Sequence, residues 1–312
     1  MQPKLIIHGG AGSSLQGKGG VDAVRELLYD ILKETYALLT QGASAQAAVI
    51  LGCQRLEDEP RFNAGTGSVL QSDGQARLSA SLMDGEQERF SGVINVSKVK
   101  HPIELAVKLQ SESDRVLSDY GAAELVRELA VPLHDPLTDR RLNEWLAERK
   151  GDFNKAMAST VAEDLATAHE PGRGTIGVVA LDQHGHLAAG TSTGGKGFER
   201  VGRVSDSAMP AGNYATPHAG VSCTGIGEDI IEACLAARIV VRVTDGLSLQ
   251  AAFDKSIQES ATQQRDLGAI GIDATGAIAW GKTSEVLLAA YHTGDDVRDI
   301  LALPNGAQVG AC

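Results

Sequence analysis

Cationic side chains are the minority among the charges of this sequence. There are 28 Lys and Arg against 40 Asp and Glu, a formal net charge of −12. Nucleic-acid binding draws on clustered Lys and Arg, so the balance counts against that class of partner. Cysteine is sparse too. Cys53, Cys223, Cys234 and Cys312 show no C-x-x-C spacing and have no histidines at metal-ligand spacing. That counts against a disulfide framework and a cysteine metal site, and it fits reduced thiols in a cytoplasm. No apolar run approaches the roughly 18 residues that a membrane span requires. The opening MQPKLIIHGGAGSS has no basic region ahead of a long apolar stretch, so no export signal is expected and the cytoplasm is the expected compartment. Phosphate loops are missing as well. GGAGSSL and TGIGEDI lack the third glycine of G-x-G-x-x-G, and GGKG lacks P-loop spacing, so these glycines read as turns and no organic cofactor is expected.

Aromatic residues are only 4% of the chain while Gly reaches 36 residues. A core of Ala, Val, Ile and Leu with many tight turns follows. The 312 residues suit one large domain or two modest ones. KLIIH reads as a strand feeding a glycine turn, GGAGSS. Val21, Val24, Leu28, Ile31, Leu32, Thr35 and Leu39 then fall at helical spacing up to a stop at Gly42, and Ser44 is placed to cap a second helix reaching Leu56. SVLQ and ARLSASLM read as strands joined by Ser72-Asp73-Gly74-Gln75, with a further turn at Asp84-Gly85 before a strand in RFSGVINV. From His101 to about Leu165 the pattern is helical and more polar. Residues from about 152 to 174 lose large apolar side chains and end in Pro and Gly, the best linker candidate in the chain. TIGVVALDQHGHLAAGTST and GAIGIDATGAIAWGKTS then share one scheme: an apolar run, Asp, a Gly turn and a second apolar run. Two similar hairpins in neighbouring sheets are expected, with EDIIEACLAARIVVRV and SLQAAFDKSIQESATQQ as helices between them. Strands at both ends and helices in blocks favour a layered α+β sandwich over an alternating parallel sheet.

The chemistry concentrates at Thr175, the first residue of a buried strand after Pro-Gly-Arg-Gly. Gly174 has no side chain to crowd an attack on its carbonyl by the Thr175 hydroxyl. If that bond breaks, Thr175 gains an α-amine of pKa about 7.7–8.0 that can serve as base for its own hydroxyl. The plain alternative is an ordinary threonine starting a strand. Thr193 ends the strand that pairs back on it, so a hairpin around Gly185 brings the two threonines together. Thr224 and Gly225 precede a helix whose first turn carries Glu228 and Asp229. They are placed either to stabilise an oxyanion with main-chain N–H groups or to cap that helix. Arg203 and Asp206 in GRVSDS can hold the α-carboxylate and α-amine of an amino acid, or form a mutual surface ion pair.

HGGAG, FNAGTGSVLQSDG, SLMDG, GTIGVVALDQHGHLAAGTSTGG, GRVSDS and SCTGIGE occur here in the order found in the plant-type asparaginases, also called isoaspartyl aminopeptidases. The chain resembles that family over nearly its whole length. The resemblance implies an N-terminal nucleophile hydrolase with a four-layer αββα sandwich. It implies a single hydrolase domain, 1–312, self-cleaved into an α chain of 1–174 and a β chain of 175–312 and assembled as a homodimer of cleaved protomers. The implied activity is hydrolysis of β-aspartyl dipeptides and L-asparagine, small-molecule substrates. Carried over by motif, Thr175 is the nucleophile, Thr193 its neighbour, and Thr224 with Gly225 the oxyanion site. Arg203 holds the substrate carboxylate and Asp206 its amine, with Gly225, Gly227 and Asn63 beside them. A structural sodium ion is implied on the carbonyls of Leu56, Glu57, Glu59, Phe62, Ala64 and Thr66.

Three departures stand out: Ser205 where Gly is usual, Ser79 where Asp is common, and GKGFERV before Arg203. They bear on substrate preference. Glycosylasparaginases resemble the chain too, but usually carry Asp-Thr at the cleavage point in place of Gly174-Thr175. A non-cleaving relative that binds amino acids is the reading from another class.

Overall fold

The structure, a computed structural model, describes residues 1–12, 15, 18–151 and 174–312. The segment read above as a linker lies outside the described residues, apart from Gly174. Two sheets stack face to face with helices on their outer faces, the αββα sandwich expected. The larger sheet contains β1 (Lys4–Gly12), β2 (Leu78–Asp84), β3 (Arg89–Val96), β4 (Val116–Ser118), β5 (Ile176–Leu181), β6 (Leu187–Thr193), β11 (Val286–His292) and β12 (Val297–Asp299). Their order is β12-β11-β1-β5-β6-β2-β3-β4. The smaller sheet contains β7 (Asn213–Ala215), β8 (Ala219–Gly225), β9 (Leu267–Asp273), β10 (Ile278–Lys282) and β13 (Gln308–Ala311), in the order β13-β10-β9-β8-β7. Helices α1 (Gly20–Thr40), α2 (Ala45–Glu57) and α3 (Pro102–Leu109) cover the larger sheet, and α7 (Leu235–Thr244) and α8 (Leu249–Thr262) the smaller. α4 (Asp119–Glu128), α5 (Asp139–Lys150) and the short α6 (Gly227–Ala233) complete the helices that the described residues form.

Burial on both faces explains the unbroken apolar runs of β1 and β5. Because side chains alternate along a strand, Leu5, Ile7, Val178 and Ala180 pack under the helices. Ile6, Val179 and Leu181 point the other way, into the gap between sheets, where they meet Ile270 and Ile272. Thr175 shares the parity of Val179 and Leu181, so it too belongs to the gap. In α1 the buried residues Val24, Leu28, Ile31, Leu32, Thr35, Tyr36 and Leu39 form the single face that their spacing predicts, and Ser44 caps α2 by accepting from the Ala47 N–H.

The two echoing hairpins lie in the two sheets, and their turns are built alike. Asp182 Oδ1 accepts from His184 N at 2.9 Å and His186 N at 3.0 Å. Asp273 Oδ1 accepts from Thr275 N at 2.9 Å and Ala277 N at 3.1 Å.

Four expectations are corrected. β1 runs on through HGGAG to Gly12 instead of turning there, with a bulge between His8 and Ala11. SVLQ is not a strand, because its main chain is engaged elsewhere: Val69 N donates to Asn63 Oδ1 and Leu70 O accepts from Phe198 N. The region after His101 is not uniformly helical, since β4 pairs in parallel with β3. EDIIEACLAARIVVRV splits at Cys234, whose φ of 48° ends α6. The break turns the start of α7 so that Ala236 N and Ala237 N reach the carbonyls of Ala211 and Pro210.

Asp182 Oδ2 also accepts from Ala45 N at 3.0 Å, tying the hairpin to α2, whereas Asp273 Oδ1 takes a local bond from the Thr275 hydroxyl at 2.6 Å. Asp182→Ala should therefore lower Tm more than Asp273→Ala, the extra loss matching one orphaned buried N–H, about 1–3 kcal/mol. Thermal melts of the two variants test this, and equal losses would show that the tie to α2 contributes nothing.

Candidate active site

Parity and register assemble the site. Thr175 lies just ahead of β5 and Thr193 ends β6, whose register pairs Ile176 with Ser192. The Thr175 hydroxyl donates to Thr193 Oγ1 at 3.2 Å. Both are buried, as is Thr224 near the end of β8 in the facing sheet. A cleft is lined by Gly174, Thr175, Thr193, Gly195, Lys196, Arg203, Ser205, Asp206, Gly225, Ile226 and Gly227. Of the residues singled out in the sequence, Thr224 and Asn63 flank this cleft without lining it.

Asn63 holds the bond that the sequence marks. Its Nδ2 donates to Gly174 O at 2.9 Å and to Gly195 O at 2.7 Å, while its Oδ1 accepts from Val69 N at 3.0 Å. Thr193 Oγ1 reaches the same Gly174 carbonyl at 3.4 Å and also accepts from Gly195 N at 3.1 Å. The carbonyl ahead of Thr175 thus has two donors aimed at it. Thr224 is not among its donors; Thr224 Oγ1 accepts from Ala11 N at 3.0 Å. That bond also settles the helix-cap alternative, since the cap residue of α6 is Ile226 and it has no side-chain cap.

Gly10 is a functional position that the sequence reading passed over. It has φ +118°, and a Cβ there would lie 2.8 Å from Gly174 Cα. A side chain at 10 would push the Gly174–Thr175 bond off its donors. The doubled glycine straight after an apolar strand run was the available signal.

Arg203 and Asp206 do converge, though not on each other. A Cβ on Gly227 would lie 2.6 Å from Arg203 Nη2 and 2.8 Å from Asp206 Oδ1, so a bare Gly227 leaves both charges open to one small space. Arg203 makes its ion pair with Glu228, Nε to Oε1 at 2.8 Å and Nη2 to Oε2 at 3.0 Å. Partial burial works against the Glu228 carboxylate, but this fork more than offsets it and brings its pKa down to about 2. Asp206 has no such partner. Its Oδ2 is buried without a hydrogen bond, and burial lifts its pKa from 3.8 to about 7, against the pull of Arg203.

The departures have structural roles. Ser205 Oγ accepts from Ser207 N at 3.3 Å, capping a single 3-10 turn at Asp206–Ala208. Ser79 Oγ accepts from Asn95 N at 3.1 Å, and Asn95 Nδ2 in turn donates to Arg203 O at 3.1 Å. In GKGFERV, Glu199 Oε1 accepts from Lys196 N at 3.1 Å and shapes the rim beside Gly195.

Known proteins resemble this chain over most of its length. The family model described as asparaginase matches residues 1–302. An isoaspartyl peptidase/L-asparaginase from a Nostoc species is 65% identical over 312 residues, 100% of this chain and 98% of the relative. One of the same name from a Synechocystis species is 62% identical over 310 residues, 99% and 94% of the two chains. A plant-type L-asparaginase from Pyrococcus horikoshii is 35% identical over 295 residues, 92% and 95% of the two.

A buried acid with a raised pKa has a stability signature. Between pH 4 and 7 the folded chain keeps a proton on Asp206 that the unfolded chain releases, so this group lowers stability as pH rises through that window. Asp206→Asn should raise Tm at pH 8, by a free energy on the order of 4 kcal/mol at most. The gain should shrink toward zero at pH 4. Calorimetric scans at the two pH values test it, and a pH-independent difference would mean that Asp206 is not the titrating group.

Proposed function

Because the chain belongs to the asparaginase family, we propose that it hydrolyses β-aspartyl (isoaspartyl) dipeptides and L-asparagine to L-aspartate, using a threonine freed by self-cleavage. The observation that carries this reading is the Gly174 carbonyl, held by Asn63 and Thr193 directly before a threonine hydroxyl in a cleft that also contains Arg203 and Asp206.

In the cleavage step, Thr175 Oγ attacks the Gly174 carbonyl carbon, and the developing oxyanion receives the Asn63 amide and the Thr193 hydroxyl. The acyl group passes from nitrogen to oxygen, and water hydrolyses the ester to leave a Gly174 carboxylate and a free Thr175 amine. That amine then takes the hydroxyl proton when a substrate is bound. Arg203 grips the substrate α-carboxylate and Asp206 its α-ammonium, which presents the side-chain carbonyl to Thr175 Oγ. Thr224 already accepts one N–H, from Ala11, so its own proton is left for the substrate oxyanion, beside the N–H of Gly225. The leaving amine takes a proton, and water releases aspartate from the threonine ester. Different donors thus serve the two reactions, at adjacent positions.

Further parts of this reading concern the whole protein. The loop after α2 folds back on itself, with Thr66 N donating to Glu57 O at 2.8 Å and Gly65 pressed against the same carbonyl. That contact joins the two ends of 56–66, and the reading extends to a structural sodium ion on the main-chain carbonyls of Leu56, Glu57, Glu59, Phe62, Ala64 and Thr66. A homodimer of cleaved protomers is supported by exposed apolar side chains along one stretch, Val116, Tyr120, Leu129, Leu133 and Leu137. The cytoplasm is the compartment this reading carries with it; no helix among the described residues is long and apolar enough to cross a membrane.

Purified protein should resolve into two fragments, the smaller beginning Thr-Ile-Gly-Val-Val by N-terminal sequencing. Thr175→Ala should stay one inactive chain, and Thr175→Ser should cleave more slowly, having lost the methyl that restricts χ1. Turnover of β-Asp-Leu and asparagine should accompany cleavage. Activity confined to glycosylated asparagine would sink the substrate assignment, and full activity in uncleaved Thr175→Ala would sink the nucleophile.

Arg203→Ala should leave cleavage intact and lower kcat/KM on asparagine by about 30-fold or more. A variant that stays uncleaved would make Arg203 a brace for its loop, not a substrate ligand.

A further inference from the structure

Directly beneath the reactive threonines lies a second polar layer that the proposed chemistry does not use. Two residues along each strand in the same direction, Thr175 is followed by Gly177, Thr193 by Thr191 and Thr224 by Ser222. By strand parity these three share the face of the first set. Gly177 is what opens the layer: a Cβ there would run into Ser222 Oγ and His8 Nε2. His8, paired with Gly177 across β1 and β5, fills the space. It is fully buried.

We propose that His8, backed by Ser222 and Thr191, is a positioning residue that fixes the main chain of Thr175 from below. The inference rests on the reading of Thr175 as nucleophile. His8 Nε2 lies 3.0 Å from Ser222 Oγ, and Ser222 Oγ lies 2.7 Å from Thr191 Oγ1. His8 Nδ1 is buried without a hydrogen-bond partner, and the main chain of Thr175 is the neighbour that favours protonation of the ring. Burial outweighs that influence and brings the ring pKa down to about 3, so His8 is neutral and carries one N–H.

One arrangement of protons uses every group. Thr191 donates to Ser222, Ser222 donates to Nε2, and Nδ1–H faces the Thr175 carbonyl. The opposite order would aim a bare nitrogen lone pair at a carbonyl. The tautomer is therefore set by the network, which holds the ring at Nε2 and leaves Nδ1–H turned to the main chain of Thr175. Position matters most after cleavage. Once the bond to Gly174 is cut, Thr175 is tethered only through its carbonyl side, so a contact at that carbonyl governs where the hydroxyl points. A small displacement there costs rate more than affinity, because Arg203 and Asp206 are on other elements.

The test separates the two ring nitrogens in the full-length, self-cleaved protein assayed on β-Asp-Leu. His8→Asn places an amide near Nδ1 and keeps the Thr175 contact, whereas His8→Gln places one near Nε2 and keeps only Ser222. His8→Gln should lose about ten- to hundred-fold in kcat with KM within about two-fold, while His8→Asn stays within about five-fold of wild type. Ser222→Ala, which removes one hydroxyl and is the safer variant to fold, should lower kcat about three- to ten-fold with KM unchanged. Equal kcat losses in the two His8 variants, a loss confined to KM, or wild-type kcat in Ser222→Ala would overturn the proposal. A wild-type protein that neither cleaves nor turns over would strike the reading of Thr175 instead.

Discussion

Everything at the site depends on the gap between the two sheets. Strands buried on both faces commit every second side chain to that gap, and a polar group placed there without a partner costs stability. The gap is zoned along the strands accordingly. At its far end Val179, Leu181 and Leu187 meet Ile270 and Ile272, and the packing is wholly apolar. In the middle Ser81 Oγ donates to Ser207 O at 2.5 Å, and Asn213 Nδ2 donates to Ser81 Oγ at 3.0 Å and Ala189 O at 3.2 Å, while Asn213 Oδ1 and Ser207 Oγ stay unpaired. At the open end the unpaired atom is a carboxylate oxygen, Asp206 Oδ2, and Thr175, Thr193 and Thr224 lie there with it.

Incomplete pairing has an energetic meaning. Asp206 keeps a buried oxygen without a donor, and Gly174 and Gly10 sit in backbone conformations that L side chains rarely adopt. The unpaired acid lowers stability in the free protein and becomes useful only against a ligand, whereas glycine takes those conformations without steric strain. Arg203 is arranged differently, since its fork with Glu228 satisfies part of its hydrogen-bonding capacity and fixes its plane. The acid is left unsatisfied and the base is aimed.

The parts of this layout that could be read from the sequence are those controlled by local periodicity. The α1 face, the Ser44 cap and the two Asp-Gly hairpins follow from spacing that neighbouring residues alone impose. Thr175 and Thr193 followed too, because a hairpin brings its two ends together. What escaped depends on contacts between distant segments. SVLQ has strand-like residues, but Asn63 and Phe198 claim its backbone. HGGAG looks like a turn, but β11 pairs with it. Cys234 breaks a helix for the sake of carbonyls at 210 and 211. The Arg203–Glu228 fork joins residues 25 apart, and the nearer carboxylate of Asp206 was the more obvious partner on sequence distance.

Gly174 deserves a last consideration as part of the wall of the cleft. In the intact chain its carbonyl is held by Asn63 Nδ2 immediately before Thr175, on the side from which a substrate acyl group would approach the nucleophile. On the proposed chemistry, the precursor is therefore its own first occupant: a zymogen whose inhibitor is its own backbone. Latency then requires no separate propeptide or partner. It ends with a single event, the departure of a glycine carboxylate from the cleft, which vacates the acyl position and unmasks the base together. The timing of activity is thereby tied to completed folding around the larger sheet, since the donors that cut the bond, Asn63 and Thr193, come from segments more than a hundred residues apart in the chain.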